Sequence, residues 1–254
     1  MSPGIGPRGV SRRAIAGCAL GSAIILLLLL AAAPPASAAR RCFGERATIL
    51  GTGKGDRLKG TPRADVIMGL GGGDIIRGLG GDDLICSGSG GDFVRGGGGS
   101  DRIRLGSATD SALGGNGDDL ILGGGDIDEF AGQAGDDVLR GGPHADTLSA
   151  MSGHDRLFGG GGRDTASFNT SSTDVVADLT AGVGSGDGTY TFSSIESIDG
   201  SGNDDRLIGN AANNFISAGL GNDFIDGRAG HDVAVGGEGT DTCINSEEKV
   251  DCEG

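Results

Sequence analysis

Residues 114–122 read Gly-Gly-Asn-Gly-Asp-Asp-Leu-Ile-Leu, and this nonapeptide decides the fold. Gly114, Gly115 and Gly117 permit the tight turns and positive φ that side chains resist. Asp119 follows, and two residues later Ile121 sits on a short strand and points inward. The pattern extends both ways. Aspartate recurs at every ninth position thirteen times in succession: Asp56, Asp65, Asp74, Asp83, Asp92, Asp101, Asp110, Asp119, Asp128, Asp137, Asp146, Asp155 and Asp164. Two residues beyond them stand Leu58, Ile67, Ile76, Ile85, Val94, Ile103, Ala112, Ile121, Phe130, Leu139, Leu148, Leu157 and Ala166. One such unit cannot bury its own apolar side chain, but a stack of them can, so the period predicts a solenoid. Repeated carboxylates, with no thiol or imidazole array beside them, favour a hard divalent cation.

The unit follows G-G-x-G-x-D-x-U-x and resembles the RTX, or haemolysin-type, calcium-binding repeat family from Gly51 to Cys243. The resemblance implies an all-β parallel β-roll in which two nonapeptides make one coil. It implies calcium between successive turns, held by repeat aspartates and by carbonyls of the glycine-rich loops. Carried onto this chain, the ligand set is Asp74, Asp83, Asp92, Asp101, Asp119, Asp137, Asp155, Asp164, Asp223, Asp232 and Asp241. The loop members are Gly78, Gly81, Gly96, Gly99, Gly114, Gly117, Gly132, Gly135 and Gly153.

Because a coil is two repeats, alternate aspartates share an edge. Two residues before each aspartate the family has glycine. On the edge of Asp65, Asp83, Asp101, Asp119, Asp137 and Asp155, that position is glycine in five of six repeats. On the edge of Asp56, Asp74, Asp92, Asp110, Asp128, Asp146 and Asp164, it is glycine in three of seven. Ala108 and Asp126 stand in its place before Asp110 and Asp128, so weak occupancy is expected there.

The chain has 254 residues, of which 55 are glycine, with one tyrosine and no tryptophan, which argues against an ordinary globular core. Low complexity alone would suggest disorder, but the strict apolar phase opposes that. The formal charge is −15, and the bases are too sparse for a nucleic-acid surface. Arg8, Arg12 and Arg13, the apolar run 14–33 and Ala36-Ser37-Ala38 make residues 1–38 a signal peptide. The alternative is an uncleaved membrane anchor. Family members commonly leave through a one-step exporter that reads a C-terminal signal, and an N-terminal leader departs from that route. Without the leader the acids number 35 against 17 bases, a charge of −18. Seventeen of the 28 aspartates lie on the repeat position, so the acidity is mostly ladder.

The remaining divisions are a lead-in at 39–50, a first array at 51–166, a connector at 167–200, a second array at 201–244 and a polar cap at 245–254. Ile49 and Leu50 are expected to add a first strand over the open end. In the connector, Val175–Leu179 and Tyr190–Phe192 read as strands around a loop at 182–188. The alternative is a flexible linker. The second array carries Asp205, Asn214, Asp223, Asp232 and Asp241, with Leu207, Ile216, Ile225, Ala234 and Cys243 inward. Cys42, Cys86, Cys243 and Cys252 form an even set that reads as disulfides in an exported chain. Three connectivities are open, and proximity favours Cys42–Cys86 with Cys243–Cys252; the alternative, free buried thiols, is opposed by the export signal.

No H-E-x-x-H helix or G-x-S-x-G elbow occurs, so the chain reads as non-enzymatic. His144, His154 and His231 lie in glycine-rich turns. The functional expectation is a secreted, extracellular calcium-binding protein that folds on binding Ca2+, with calcium ions as partners and no stable membrane insertion after leader removal. The alternative is a calcium-dependent adhesion or interaction protein at a cell surface or in a matrix, with an unassigned protein or glycan partner, using the roll for display.

Overall fold

Strict alternation along each short strand leaves one residue in two facing inward: an apolar side chain first and, two residues on, most often a glycine, after which the turn reverses the chain. The result, in a computed structural model that describes residues 40–253, is a parallel β-solenoid without a helix among those residues. One sheet has eleven strands and the other thirteen. Within each array, strands pair in parallel with the strand eighteen residues on, as in Ile85 beside Ile103 and Ile103 beside Ile121. Two nonapeptides therefore make one coil. The leader, residues 1–38, lies outside the described residues.

The core is a pair of apolar columns. Ile67, Ile85, Ile103, Ile121, Leu139 and Leu157 stack on the thirteen-stranded side. Ile76, Val94, Ala112, Phe130, Leu148 and Ala166 stack on the other. All are buried, whereas Leu58 at the first coil is only partly so. Most repeats contribute one apolar side chain, roughly 1.5–3 kcal/mol if fully buried, and Leu105, Ala150, Phe168 and Ala218 add a second in theirs. Leu207, Ile216, Ile225, Ala234 and Cys243 continue the columns, all at 0% exposure.

Both ends are closed. Ile49–Leu50 pairs with Ile67–Met68, and Glu248–Val250 pairs with Val233–Val235. The disulfides are Cys42–Cys86 and Cys243–Cys252, with Cα atoms 5.7 and 5.8 Å apart. The lead-in does more than cover the end. Arg41–Cys42 and Glu45–Arg46 form an antiparallel hairpin whose turn residues Phe43 and Gly44 both have positive φ, at 48° and 92°. Cys86 pins this hairpin to the thirteen-stranded sheet, and the guanidinium carbons of Arg102 and Arg104 lie 4.4 and 4.7 Å from the centre of the Phe43 ring.

The connector is woven into the roll. Thr189–Ser193 pairs in parallel with the strand of Asp155, and Val176–Asp178 pairs in parallel with Arg206–Ile208. Between them Val183–Ser185 runs antiparallel to both. The stretch 182–188, read from its glycines as a loop, thus contains a strand, because two flanking strand edges supply hydrogen-bond partners that local sequence does not reveal. The opposite sheet has no counterpart to this hairpin and passes directly from Thr165–Ser167 to Ser197–Asp199. Phe168, Tyr190 and Phe192 pack together beneath it, with ring centroids 5.0–6.5 Å apart.

Candidate metal centre

The turns place the ladder aspartates inside the roll, and one oxygen of each is spoken for. The Asp101 N–H donates to Asp119 Oδ1 at 2.8 Å, and the Asp119 N–H donates to Asp137 Oδ1 at 2.8 Å. On the other edge the Asp92 N–H donates to Asp110 Oδ1 at 2.7 Å, and Asp110 to Asp128 Oδ1 at 2.9 Å. Each coil is thus tied to the next through a carboxylate oxygen as well as through strand pairing.

The second oxygen is the informative one. Fourteen buried Oδ2 atoms have no hydrogen-bond partner: those of Asp74, Asp83, Asp92, Asp101, Asp110, Asp119, Asp128, Asp137, Asp146, Asp155, Asp164, Asp223, Asp232 and Asp241. An unsatisfied buried acceptor costs about 1–3 kcal/mol, and more when charged. Fourteen of them would together match or exceed the whole stability of a typical domain, about 5–15 kcal/mol. In the stable folded state these oxygens must be satisfied by a proton, a cation or an ordered water.

The loops supply further oxygens. A Cβ built at Gly96 would strike Asp101 Oδ2 and lie 2.6 Å from the Gly114 carbonyl oxygen. One built at Gly114 would strike Asp119 Oδ2 and lie 2.7 Å from the Gly132 carbonyl oxygen. Gly78 and Gly132 stand in the same way against Asp83 and Asp137. The space in front of each of these glycines is therefore shared by a carboxylate oxygen, and at Gly78, Gly96 and Gly114 also by a carbonyl of the next coil. Gly81, Gly99, Gly117, Gly135 and Gly153 serve differently: each has a positive φ, between 92° and 132°. No three His, Cys, Asp or Glu side chains converge on a point among the described residues. A cation here would take one or two carboxylate oxygens and complete its shell with carbonyls, a donor set that suits calcium.

The electrostatics agree. Burial pushes the Asp101, Asp110 and Asp137 carboxyls up to about 7, and their ladder neighbours add to the rise. Burial likewise carries Asp83, Asp119, Asp128, Asp155, Asp164 and Asp223 up to about 6. Asp74, Asp146 and Asp205 are raised for the same reason.

All eleven aspartates expected as ligands carry an unpaired oxygen, and so do Asp110, Asp128 and Asp146. The glycine count had set Asp110 and Asp128 apart. Geometry gives no such distinction, because Ala108 and Asp126 adopt the glycine conformation, with φ of 80° and 71°. Two further acids escaped the sequence reading. Glu196 Oε2 accepts the Asp164 N–H at 3.0 Å, and Glu247 Oε2 accepts the Asp232 N–H at 2.7 Å. They take the ladder position where the period of nine is lost. One edge therefore continues from Asp56 through Asp164 to Glu196, and again from Asn214 through Asp232 to Glu247. On the other edge Tyr190 lies beside Asp155, and Val175 donates to Asp205 Oδ1, so the carboxylate row is interrupted there.

Fold and site together define a calcium-binding repeat protein of the β-roll class. The family model of the RTX calcium-binding nonapeptide repeat matches residues 50–85, 59–94, 95–130, 131–166, 191–224, 199–234 and 208–243, and the chain belongs to that family. No curated protein matches it.

Proposed function

We infer that this chain is an exported, non-catalytic protein whose roll folds when calcium enters between its turns. The observation that carries the reading is the set of fourteen buried carboxylate oxygens without a partner. Stacked coils lie about 4.8 Å apart, and unit charges at that distance repel by about 1 kcal/mol in water and more where water is excluded. A core of mostly one apolar side chain per repeat offsets little of this, since ordering nine residues costs on the order of 1–2 kcal/mol each. Calcium turns the repulsion into ligation, and its binding energy becomes folding energy. The ligands in this reading are Asp74, Asp83, Asp92, Asp101, Asp119, Asp137, Asp155, Asp164, Asp223, Asp232 and Asp241, joined by Asp110, Asp128 and Asp146, with carbonyls of the glycine loops. Extracellular modules work at about 10⁻⁴–10⁻³ M calcium, so the chain would stay open before export and close outside. The leader at 1–38 and the two disulfides support this compartment.

The test is far-UV circular dichroism of the leaderless chain in chelator and then in millimolar calcium. A β-rich spectrum should appear only on calcium addition. A spectrum already β-rich in chelator at neutral pH and indifferent to calcium would defeat the reading.

One observation favours adhesion as a second role. Lys59, Arg77 and Arg95 stand side by side on neighbouring strands of one outer face. All three are exposed, and neither ion pair among the described residues involves them. Stacked like charges without acid partners fit an extended anionic polymer. Retention of the calcium-loaded protein on an acidic polysaccharide, lost in a Lys59→Glu, Arg77→Glu, Arg95→Glu variant, would support it. Equal passage of both proteins would remove it.

A further inference from the structure

Not every turn of the ladder is open. Four of them accept hydrogen bonds from their own loop. The Thr52 N–H and hydroxyl donate to Asp56 Oδ2 at 2.7 and 2.8 Å. Thr61 does the same to Asp65 Oδ2 at 2.7 and 2.9 Å. The Ser201 N–H donates to Asp205 Oδ2 at 2.5 Å, and its hydroxyl to Asp205 Oδ1 at 2.8 Å. The Asn210 N–H donates to Asn214 Oδ1 at 2.8 Å. In each case the donor stands four residues before the ladder side chain.

In the open turns that same position adopts another conformation. Leu70, Leu79, Gln133 and Arg228 have φ of 83°, 87°, 82° and 74°, and Gly97, Gly115 and Gly124 are likewise left-handed. The inversion turns the N–H away: the Leu79 N–H donates to the Gly96 carbonyl at 2.9 Å, and the Arg228 N–H to Asp226 Oδ1 at 3.1 Å. The ladder oxygen is then left bare. Met151, ahead of Asp155, is intermediate. It is not left-handed, yet Asp155 Oδ2 is left without a hydrogen bond.

We propose that the residue four before each ladder acid decides whether that turn takes a cation. A Thr, Ser or Asn with ordinary φ closes the turn by supplying the hydrogen bonds that calcium would otherwise replace. A left-handed residue opens it. The closed turns fall in pairs, Asp56 with Asp65 and Asp205 with Asn214. Each pair is one complete coil, and each is the first coil of its block. The roll therefore contains two coils that need no cation, one at the start of each array, from which calcium-loaded coils extend. A hydroxyl and an amide do for the carboxylate what a helix N-cap does for backbone donors, with the roles exchanged.

This rests on the calcium reading above, and its test separates the two. Bound calcium per chain is counted by equilibrium dialysis with metal analysis, on the leaderless full chain. Thr61→Gly should open Asp65 and raise the count by one. Leu79→Thr should close Asp83 and lower it by one, since a β-branched residue is ill suited to positive φ. Thr61→Ser keeps both donors and should leave the count unchanged. If the parent protein binds no calcium, the underlying reading fails. If it binds calcium but both Thr61→Gly and Leu79→Thr leave the count unaltered while the β-rich spectrum is retained, the closure rule is overturned. Should Thr61→Gly not fold, Leu79→Thr, at an exposed position, still decides the matter.

Discussion

Asp119 and Asp110 differ in the residue two before them, Gly117 against Ala108, yet the structure treats them alike. Both are at most 2% exposed, and both present an unpaired oxygen. Left-handed backbone costs a non-glycine residue roughly 1–2 kcal/mol, and at Ala108 it is adopted all the same. Asp119→Ala and Asp110→Ala are therefore expected to remove similar amounts of bound calcium. Titration of the two variants side by side checks this, and a clearly larger loss in Asp119→Ala would restore glycine identity as the governing factor. At this scale the ladder itself was legible, because a nine-residue period needs no knowledge of contacts. Its continuation was not. Counting back from Asp205 and Asn214 by eighteen reaches Asp187 and Glu196, and only Glu196 takes a ladder place. Asp187 instead sits outside, accepting the Ser172 N–H and hydroxyl, each at 2.9 Å. Interval alone cannot distinguish them, since the choice depends on where the inserted hairpin directs the chain. Residues that close a turn were equally hidden: Thr52 and Leu70 look interchangeable until φ is known.

At the scale of a strand and its turn, the ladder behaves as one titrating element. In the metal-free roll, carboxyls that ionise near 6 to 7 hold protons that an unfolded chain, with ordinary values near about 4, releases earlier. Stability of the metal-free roll is thus greatest below about pH 4, and declines as pH rises through about 4 to 7. In chelator, the β signal should be stronger at about pH 4.5 than at about pH 8. With calcium present the order should reverse, because protons and cations compete for the same oxygens. A chelated protein whose β content rises with pH would contradict the burial assigned to these carboxyls. The sequence could place strands and turns, since glycine and β-branched residues alternate so regularly. It gave no sign that Val183–Ser185 would pair on both sides, because that pairing is made by strands distant in the chain.

For the molecule as a whole, acids and bases separate by depth. Seventeen of 28 aspartates belong to the interior rows, while Arg57, Lys59, Arg77, Arg95, Arg102, Arg104, Arg140 and Arg156 all face outward. Loading the interior with calcium would leave an outer surface far less acidic than the formal charge suggests, and electrophoretic mobility should fall accordingly on calcium addition.

The hairpin carries a geometric consequence of its own. Between the coil of Thr189–Ser193 and that of Arg206–Ile208, the thirteen-stranded sheet advances three strand steps, whereas the opposite sheet advances one. Two additional steps amount to about 10 Å, comparable with the distance between facing sheets. A stack lengthened on one side only has to turn, as a course of masonry turns at a wedge-shaped stone. The two arrays are then expected to form the arms of an elbow, not one straight rod, with the row through Asp164, Glu196 and Asn214 along the inside of the bend. Excising residues 171–188 to leave a direct crossover should straighten the calcium-loaded protein. Small-angle scattering would register a longer maximum dimension despite the shorter chain, and an unchanged or reduced dimension would argue that the sheet absorbs the extra strands by buckling outward.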